Sequence, residues 1–234
     1  GRRRRHRRAM AAQQRGLFIL LEGCDKSGKT TQVARLAHRL RNSPLCGGNG
    51  DVEEWHFPRR DTDTGRVLDA YLRGELKLDT RAVHLLFSAN RWESNEQLRQ
   101  TLLDGTTVVM DRYAHSGVAY SRGAHKLPLE WCLASDRGLV APDVMILLSD
   151  KWAPQCGEEI YEIDDVQARV RCAFEEFACS AAPRSEEVSY EVHVLDPRSA
   201  MTTETRIWRI VLSMLQERQM ATTKGDMPLK TLDW

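Results

Sequence analysis

Several features that would place the chain in a membrane or secreted class are missing from its 234 residues. No apolar run approaches the ~20 residues that a membrane-spanning helix requires. The basic N-terminus is followed by AMAAQQRG rather than by the apolar segment of a secretory signal. The remaining composition, 41% hydrophobic and 29% charged, is ordinary for a globular protein. Its length fits one domain with a full core.

Paired cysteine spacing is also missing. The six cysteines are scattered and none belongs to a C-x-x-C pair: Cys24, Cys46, Cys132, Cys156, Cys172 and Cys179. A zinc site is therefore not predicted. Scattered thiols are typical of reduced cysteines in an intracellular protein, and we expect a cytoplasmic location, with a nuclear or an organellar one left open by the arginine-rich N-terminus.

Acidic residues are absent from residues 1–9, GRRRRHRRA, which hold six arginines. Subtracting these six from the 34 basic residues leaves 28 against 33 acidic ones, so the rest of the chain is mildly acidic. The folded domain is therefore not expected to bind nucleic acid. The run itself has three interpretations: a nuclear or nucleic-acid address, part of an organellar transit peptide, or residues upstream of a start at Met10. We favour the last, and expect residues 1–15 to be disordered.

Strand and helix patterns alternate along the remaining chain. Apolar segments predict strands at 17–22, 52–57, 106–111 and 143–149, and alternating valines predict a fifth at 188–194. Helical spacing predicts helices from Thr30 and near 67–72, 82–103, 166–177 and 207–215. This order predicts an α/β domain over 16–218, a five-stranded parallel sheet with helices on both faces. A polar tail is expected over 219–234.

The stretch GCDKSGKTT, residues 23–31, follows the first predicted strand and opens a helix. It matches G-x-x-x-x-G-K-[ST], in which glycines let backbone N–H groups surround a phosphate, the lysine reaches the β- and γ-phosphates and the hydroxyl binds Mg²⁺. A chance glycine turn is the alternative, but the flanking strand and helix favour a phosphate loop. The predicted ATP-binding residues here are Gly23, Cys24, Asp25, Lys26, Ser27, Gly28, Lys29, Thr30 and Thr31.

Asp111 ends the third predicted strand, in VVMDRY. An acid in this place commonly holds magnesium in phosphate-loop enzymes. A strand-end turn aspartate is the alternative, and the phosphate loop favours the magnesium role. The predicted metal-binding residues are Thr30 and Asp111.

Three arginines, Arg60, Arg91 and Arg112, lie where the chain can face one cleft beyond the strand ends. Guanidinium groups bind the oxygens of a monophosphate dianion in pairs. Taken singly, each arginine is more simply interpreted as a solvated surface residue. Their sequence neighbourhoods change that interpretation.

The segments FPRR, HLLFSANRWE and DRYAHSGVAY, together with the phosphate loop, resemble thymidylate kinases from about residue 16 to 177. The resemblance implies the three-layer phosphate-loop nucleoside monophosphate kinase fold and a homodimer. It also implies Mg²⁺-dependent transfer of the ATP γ-phosphoryl group to dTMP, giving dTDP for dTTP synthesis in DNA replication.

The resemblance further implies roles for individual residues. Arg60 and Arg112 would hold the dTMP phosphate, and Asp25 would approach the sugar 3′-hydroxyl and the catalytic centre. Phe87 would stack on thymine while Arg91 reads the base edge, although an ordinary core aromatic is the alternative for Phe87. The thymidine pocket would be lined by Phe57, Leu72, Ser116, Gly117 and Tyr120, with Tyr161 closing over it from a lid at about 150–165. Arg198 would pack on adenine.

A second lysine in the phosphate loop needs its own explanation. Thymidylate kinases supply positive charge to the moving phosphoryl group either from an arginine directly after the loop aspartate, as is typical of eukaryotic members, or from lid arginines. Here Lys26 follows Asp25, and Lys151 is the only basic residue of 150–165. The chain thus resembles the first subgroup with lysine in place of arginine. The predicted catalytic residues are Asp25, Lys26, Lys29 and Arg112; a solvated loop lysine is the alternative for Lys26.

Two other classes share a phosphate loop. A GTPase switch needs N-K-x-D to read guanine, and no asparagine in the chain is followed by lysine. A deoxynucleoside kinase takes an uncharged acceptor, which would not need three arginines in the cleft. The sequence therefore favours a nucleoside monophosphate acceptor.

Overall fold

The structure, a computed structural model, describes residues 14–44, 51–149, 159–180, 190–195, 200–221 and 228–234. The strands are β1 (Phe18–Gly23), β2 (Val52–His56), β3 (Thr107–Asp111), β4 (Val144–Leu148) and β5 (Glu191–Leu195). The helices are α1 (Lys29–Arg41), α2 (Asp63–Leu72), α3 (Thr80–Leu103), α4 (Ala114–His125), α5 (Leu129–Ala134), α6 (Asp164–Ser180) and α7 (Ala200–Ala221). Among these helices, none is both long and apolar enough to cross a membrane.

The five strands form one parallel sheet in the order β2-β3-β1-β4-β5. The predicted five-stranded parallel sheet is confirmed. In the pairing register Leu21 lies opposite Asp111, and Gly23 lies opposite Leu148. The carboxyl ends of β1, β3 and β4 therefore meet at one edge of the sheet, where the phosphate loop begins.

The central strand β1 is buried on both faces, which explains its continuous apolar sequence FILLEG. Ile19 and Leu21 pack in a cluster with residues of α1 and α7. Phe18 and Leu20 pack in a second cluster with residues of α3. Alternate residues of one strand thus serve two cores, and the domain has three layers.

Side chains at their N-termini explain where α2 and α3 begin. The Thr62 hydroxyl accepts a hydrogen bond from Gly65 N at 3.0 Å. The Asp79 carboxylate accepts from Arg81 N at 2.9 Å and from Ala82 N at 3.3 Å. Both are N-caps that satisfy free backbone donors. The cap at Asp79 starts α3 two residues before the predicted position at residue 82.

Two helices, α4 and α5, were not among the predicted elements. Apart from Val118, the buried face of α4 consists of small or polar residues, such as Ser116, Ala119, Ser121 and Gly123. Such a face has no apolar stripe, so helical periodicity in hydrophobicity cannot reveal it. The α5 helix has six residues and is too short for a periodic signal.

Described residues also lie beyond both predicted limits of the domain, 16 and 218. Arg15, placed in the disordered extension, is buried and donates to the Asp143 carboxylate through Nη1 and Nη2, at 2.9 and 2.5 Å. At the other end α7 continues to Ala221. Within the predicted polar tail, residues 228–234 contact the body of the domain, and Leu232 is buried. Residues 1–13 lie outside the described residues.

Leu232 attaches this last segment to the core. Its N–H donates to Leu139 O at 2.8 Å, and its carbonyl accepts from Gly138 N at 2.9 Å. Its side chain is 1% exposed in the cluster that contains Phe18 and Leu20. Leu232 therefore attaches residues 228–234 to the core on the α3 side of the sheet, with Leu229 and Trp234 packed against the same cluster.

We expect Leu232→Ala to lower the free energy of unfolding by about 2–4 kcal/mol, because it leaves a cavity in this cluster. Urea denaturation measures the change. Asp233→Ala is the matched control, since that side chain is 86% exposed, and it should stay within about 0.5 kcal/mol of the parent. An unchanged urea midpoint for Leu232→Ala would show that the segment does not stabilise the fold.

Candidate active site

A cavity of about 490 Å³ opens at the carboxyl edge of the sheet. It extends from the phosphate loop to the N-terminal half of α3. Thirteen of the predicted site residues line it: Asp25, Thr30, Phe57, Arg60, Leu72, Phe87, Arg91, Asp111, Arg112, Ser116, Gly117, Tyr120 and Tyr161. The fold thus gathers residues from five separate segments around one space.

The phosphate loop connects β1 to α1 through two glycines with positive φ. Gly23 has φ 144° and Gly28 has φ 88°, a region that side-chain-bearing residues rarely adopt. The Lys29 ammonium is buried and donates to Cys24 O at 2.5 Å and to Ser27 Oγ at 3.2 Å. Burial, with the positive charge of Arg112, lowers the pKa of Lys29 to about 8. The loop therefore holds its lysine beneath the turn that would surround a phosphate.

Asp111 and Thr30 meet next to this loop. The Thr30 hydroxyl donates to Asp111 Oδ2 at 2.7 Å. The other carboxylate oxygen, Oδ1, is buried and has no hydrogen-bond partner among the described residues. An orphaned buried carboxylate oxygen beside a hydroxyl fits the oxygen ligands and water shell that Mg²⁺ prefers.

Asp25 and Arg112 form an ion pair between the phosphate loop and the cavity. Arg112 Nη2 lies 2.5 Å from Asp25 Oδ1, and Arg112 Nη1 donates to Gly23 O at 3.1 Å. The Tyr120 hydroxyl donates to Asp25 Oδ2 at 2.6 Å. Burial alone would raise the pKa of Asp25, but Arg112 and the hydrogen bond from Tyr120 hold it below its usual value. Asp25 is therefore an ionised, fixed acceptor.

Backbone strain concentrates at the same place. Of the described non-glycine residues with positive φ, Lys26 and Arg112 belong to the site and Lys126 ends α4. Such conformations cost free energy and persist where surrounding contacts impose them. The Lys26 ammonium lies 3.9 Å from the Glu162 carboxylate, and Lys26 does not line the cavity.

Arg60 is also paired with carboxylates. Its Nη1 donates to Asp69 of α2 and its Nη2 to Glu159, both at 2.6 Å. Glu159 belongs to the described end of the predicted lid, and residues 150–158, including Lys151, lie outside the described residues. The guanidinium is thus exposed at the cavity but already neutralised by two acids.

Phe87 and Arg91 lie one turn apart on α3 and both line the far end of the cavity. Phe87 is partly buried beside the cluster of Tyr71, Leu72 and Val83. Arg91 is 3% exposed and forms two bonds to Asp136, from Nε at 3.1 Å and from Nη2 at 2.6 Å. An aromatic ring and a fixed guanidinium therefore share one face at this end.

Three tyrosines pack together beside the cavity: Tyr71, Tyr120 and Tyr161. The Tyr161 hydroxyl lies 3.0 Å from the Tyr71 hydroxyl and 2.7 Å from His125 Nε2. Its ring also packs on Tyr120, with centroids 5.4 Å apart. Tyr161 is 7% exposed, so these contacts hold it in place over the cavity.

Gln167 and Glu22 organise the site and are not predicted from the sequence. Gln167 of α6 accepts from Asp25 N at 3.1 Å and donates to Asp25 Oδ2 at 2.7 Å. Glu22, the penultimate residue of β1, is fully buried and accepts from Tyr113 N, Ser116 N and Ser116 Oγ at 2.8, 3.1 and 2.6 Å. Burial raises the pKa of Glu22. Neither residue has a local motif, although a carboxylate inside the apolar run FILLEG was a visible anomaly.

Not every predicted site residue lies at the cavity. The loop residues Gly23, Cys24, Lys26, Ser27, Gly28, Lys29 and Thr31 surround the phosphate-loop turn instead of lining the cavity. Arg198 lies outside the described residues. Thr31 is exposed on the first turn of α1.

A glycine-lined phosphate loop after the central strand of a five-stranded parallel sheet, with an arginine-lined cavity beside it, defines the phosphate-loop nucleoside monophosphate kinase fold. The family model described as thymidylate kinase matches residues 21–180. The chain belongs to the thymidylate kinase family.

Individual relatives agree with this family. Thymidylate kinase of Plasmodium falciparum is 42% identical over 171 residues, 71% of this chain and 79% of the relative. That of Homo sapiens is 39% identical over 167 residues, 69% and 76% of the two chains. The solved structure of thymidylate kinase from Candida albicans matches 94% of this chain and 99% of its own, with a TM-score of 0.76 and 27% identity.

Glu22 offers a direct test of how α4 is held at the site. We expect Glu22→Ala to lower the free energy of unfolding by about 3 kcal/mol or more, because three buried donors lose their acceptor. Glu22→Gln keeps the shape and one carbonyl oxygen, and should cost about 1 kcal/mol. Urea denaturation compares the two. Equal losses would contradict the proposed hydrogen-bonding role and leave only side-chain volume.

Proposed function

We propose that the chain transfers the γ-phosphoryl group of ATP to dTMP, giving dTDP and ADP. The observation that carries the proposal is one continuous cavity lined by Asp25, Thr30 and Asp111 beside the phosphate loop, and also by Phe87 and Arg91 of α3. Donor phosphates at the loop and a planar base on the aromatic ring would leave the acceptor phosphate between them, beside Arg112. Bond formation to the γ-phosphorus and cleavage of its bond to ADP would then occur in line.

The acceptor half of the site is supported by its charge. Arg60 and Arg112 both line the cavity and suit a phosphate dianion. Asp25, ionised and held by Tyr120 and Gln167, would accept a hydrogen bond from the sugar 3′-hydroxyl. Phe57 and Leu72, both buried, would complete the apolar wall around the thymidine.

The donor half is supported by the phosphate loop. Backbone N–H groups of the loop and Lys29 would hold the β- and γ-phosphates, and Lys29 would leave its present acceptors to do so. Thr30 and Asp111 would hold Mg²⁺. When bound, Mg²⁺ neutralises charge on the β- and γ-phosphoryl oxygens.

Assembly and location complete the proposal. We propose a homodimer through α3, where Leu85, Trp92 and Leu103 are 49%, 42% and 41% exposed, since such apolar exposure on one helix favours a partner surface. Sedimentation at micromolar concentration distinguishes a dimer from a monomer.

The scattered cysteines favour a reducing, cytoplasmic compartment.

A coupled ADP-release assay with dTMP, thymidine and dUMP tests the function. We expect ADP release that depends on dTMP, with thymidine inert because it lacks the phosphate that the arginines bind. Release with thymidine at the rate found for dTMP would reassign the chain to the deoxynucleoside kinases. The dUMP arm measures how much the thymine methyl group contributes.

Arg112→Ala should abolish turnover and weaken dTMP much more than ATP. A charge-assisted hydrogen bond lost in a site shielded from water costs about 2–4 kcal/mol. Titration of each nucleotide measures the two affinities. Arg122→Ala is the matched control, because Arg122 lies on α4 but pairs with Glu176 away from the cavity. Equal weakening of dTMP and ATP would remove Arg112 from the acceptor site.

Lys26→Ala should lower kcat by about 10²-fold or more with little change in either KM, because charge on the transferring group develops in the transition state. Lys26→Arg should stay active. Steady-state kinetics measures both variants. Lys126→Ala is the control, since Lys126 has the same left-handed backbone (φ 57° against 60°) outside the cavity. A near-normal kcat for Lys26→Ala would make Lys26 a solvated loop residue.

A further inference from the structure

The Arg91 guanidinium is held from one side by a buried carboxylate. Arg91 and Asp136 are 3% and 0% exposed, and their two parallel bonds use Nε and Nη2. Such a fork fixes the plane of the guanidinium as well as its position. It leaves Nη1 outside the pair, on a residue that lines the cavity.

Asp136 is itself fixed. Ser88, one turn before Arg91 on α3, donates to Asp136 Oδ1 at 2.8 Å and lies 2.9 Å from Ser135 O. Asp136 follows α5, so the carboxylate reaches α3 from a separate element. Its orientation is therefore set by two contacts to α3 and by the loop that carries it.

From the other side the guanidinium fills the space that Gly117 leaves. A Cβ atom at Gly117 would lie 2.8 Å from Arg91 Nη2 and 3.1 Å from Nη1. Contacts below 3.0 Å require something to move, and the movable group here is the end of the arginine. Arg91 thus occupies a slot between Asp136 and the backbone of α4.

We propose that Asp136 is a positioning residue that, with the space left by Gly117, orients Arg91 to read a carbonyl oxygen on the acceptor base. This inference rests on the proposed function and deepens it. A guanidinium has only donors, so a fixed Arg91 favours a base with a carbonyl at the edge it faces and disfavours one with an amine there. Thymine and cytosine differ in this way at position 4.

A contribution to the stability of the fold does not by itself explain the buried Arg91–Asp136 ion pair. A buried ion pair commonly contributes no more stability than well-packed apolar side chains of the same volume. Removing one partner, however, leaves the other charge buried without compensation. The pair is therefore best explained by the orientation that it imposes on a cavity-lining group.

The test uses Asp136→Asn, Gly117→Ala and the double variant in the full chain. Asparagine keeps the shape but opposes one arginine donor with its own NH₂ group, and alanine displaces the guanidinium from the other side. Each single variant should raise the KM for dTMP about tenfold, leave the KM for ATP unchanged and lower the preference for dTMP over dCMP about tenfold. The double variant should lose less than the product of the single losses, because both act through one guanidinium.

Leu232→Ala is the stability control, since it should lose stability while its preference for dTMP over dCMP is unchanged. Ser88→Ala should give a smaller loss of preference than Asp136→Asn, because it removes one tie and keeps the ion pair. A folded Asp136→Asn that keeps the dTMP KM and the preference within twofold would overturn the proposal. Fully multiplicative losses in the double variant would also overturn it.

A binding measurement separates this proposal from the proposed function. The rise of the melting temperature with dTMP and with dCMP reports binding without turnover. A parent protein that prefers dTMP in this measurement but releases no ADP refutes the kinase activity alone, and loss of that preference in Asp136→Asn still supports the positioning role. A parent protein without the preference refutes the positioning role.

Discussion

The geometry of the site depends on one buried carboxylate, that of Glu22, which connects the end of β1 to the helix that follows β3. Glu22 lies at the end of β1, directly before the phosphate loop, and accepts from the first turn of α4, which follows β3. Because β1 and β3 are neighbours in the sheet, this contact sets the distance between the loop and the helix that carries Ser116 and Tyr120. Without an acceptor at Glu22 the backbone donors of α4 would be buried and unpaired. The donor and acceptor halves of the cavity are therefore joined through the sheet edge.

Cations around the cavity are already engaged by the protein's own acids. Arg112 pairs with Asp25, Arg60 pairs with Asp69 and Glu159, and Lys26 faces Glu162. When a phosphate enters this site, the basic side chains exchange their carboxylate partners for phosphate oxygens. The free energy of phosphate binding is therefore the difference between two electrostatic interactions. Two of these acids, Glu159 and Glu162, lie on the segment that leads into α6, close to Tyr161. Replacement of Glu159 and Glu162 by phosphate as partners of Arg60 and Lys26 would therefore be coupled to the position of that segment.

Most of the correct predictions came from short sequence patterns. The phosphate loop was found because its glycines, Lys29 and Thr30 fall within nine consecutive residues, and Asp111 because it ends an apolar strand. Gln167, Asp136 and Glu22 were missed since each acts on a residue far away in the chain, such as Asp136 on Arg91. The α4 helix was missed for a different reason. Arg91 approaches it at Gly117 and α6 approaches it at Gly123, so these positions carry no side chain and the apolar stripe that predicts helices is lacking. The periodicity of hydrophobic residues along the sequence gives no sign of a helix that packs against a charged side chain from a distant part of the chain.

The position of β1 also bears on how the chain acquires its fold. β1 comes first along the chain but lies in the middle of the sheet, pairing Phe18 with Val108 and Ile19 with Val144. Parallel pairing over such separations has a large loop-closure entropy and slows folding. Until β3 and β4 have been synthesised, the segment FILLEG has neither of its neighbours, and exposed apolar strands of this kind aggregate. Biogenesis, more than the finished domain, is thus the stage at which this chain is vulnerable.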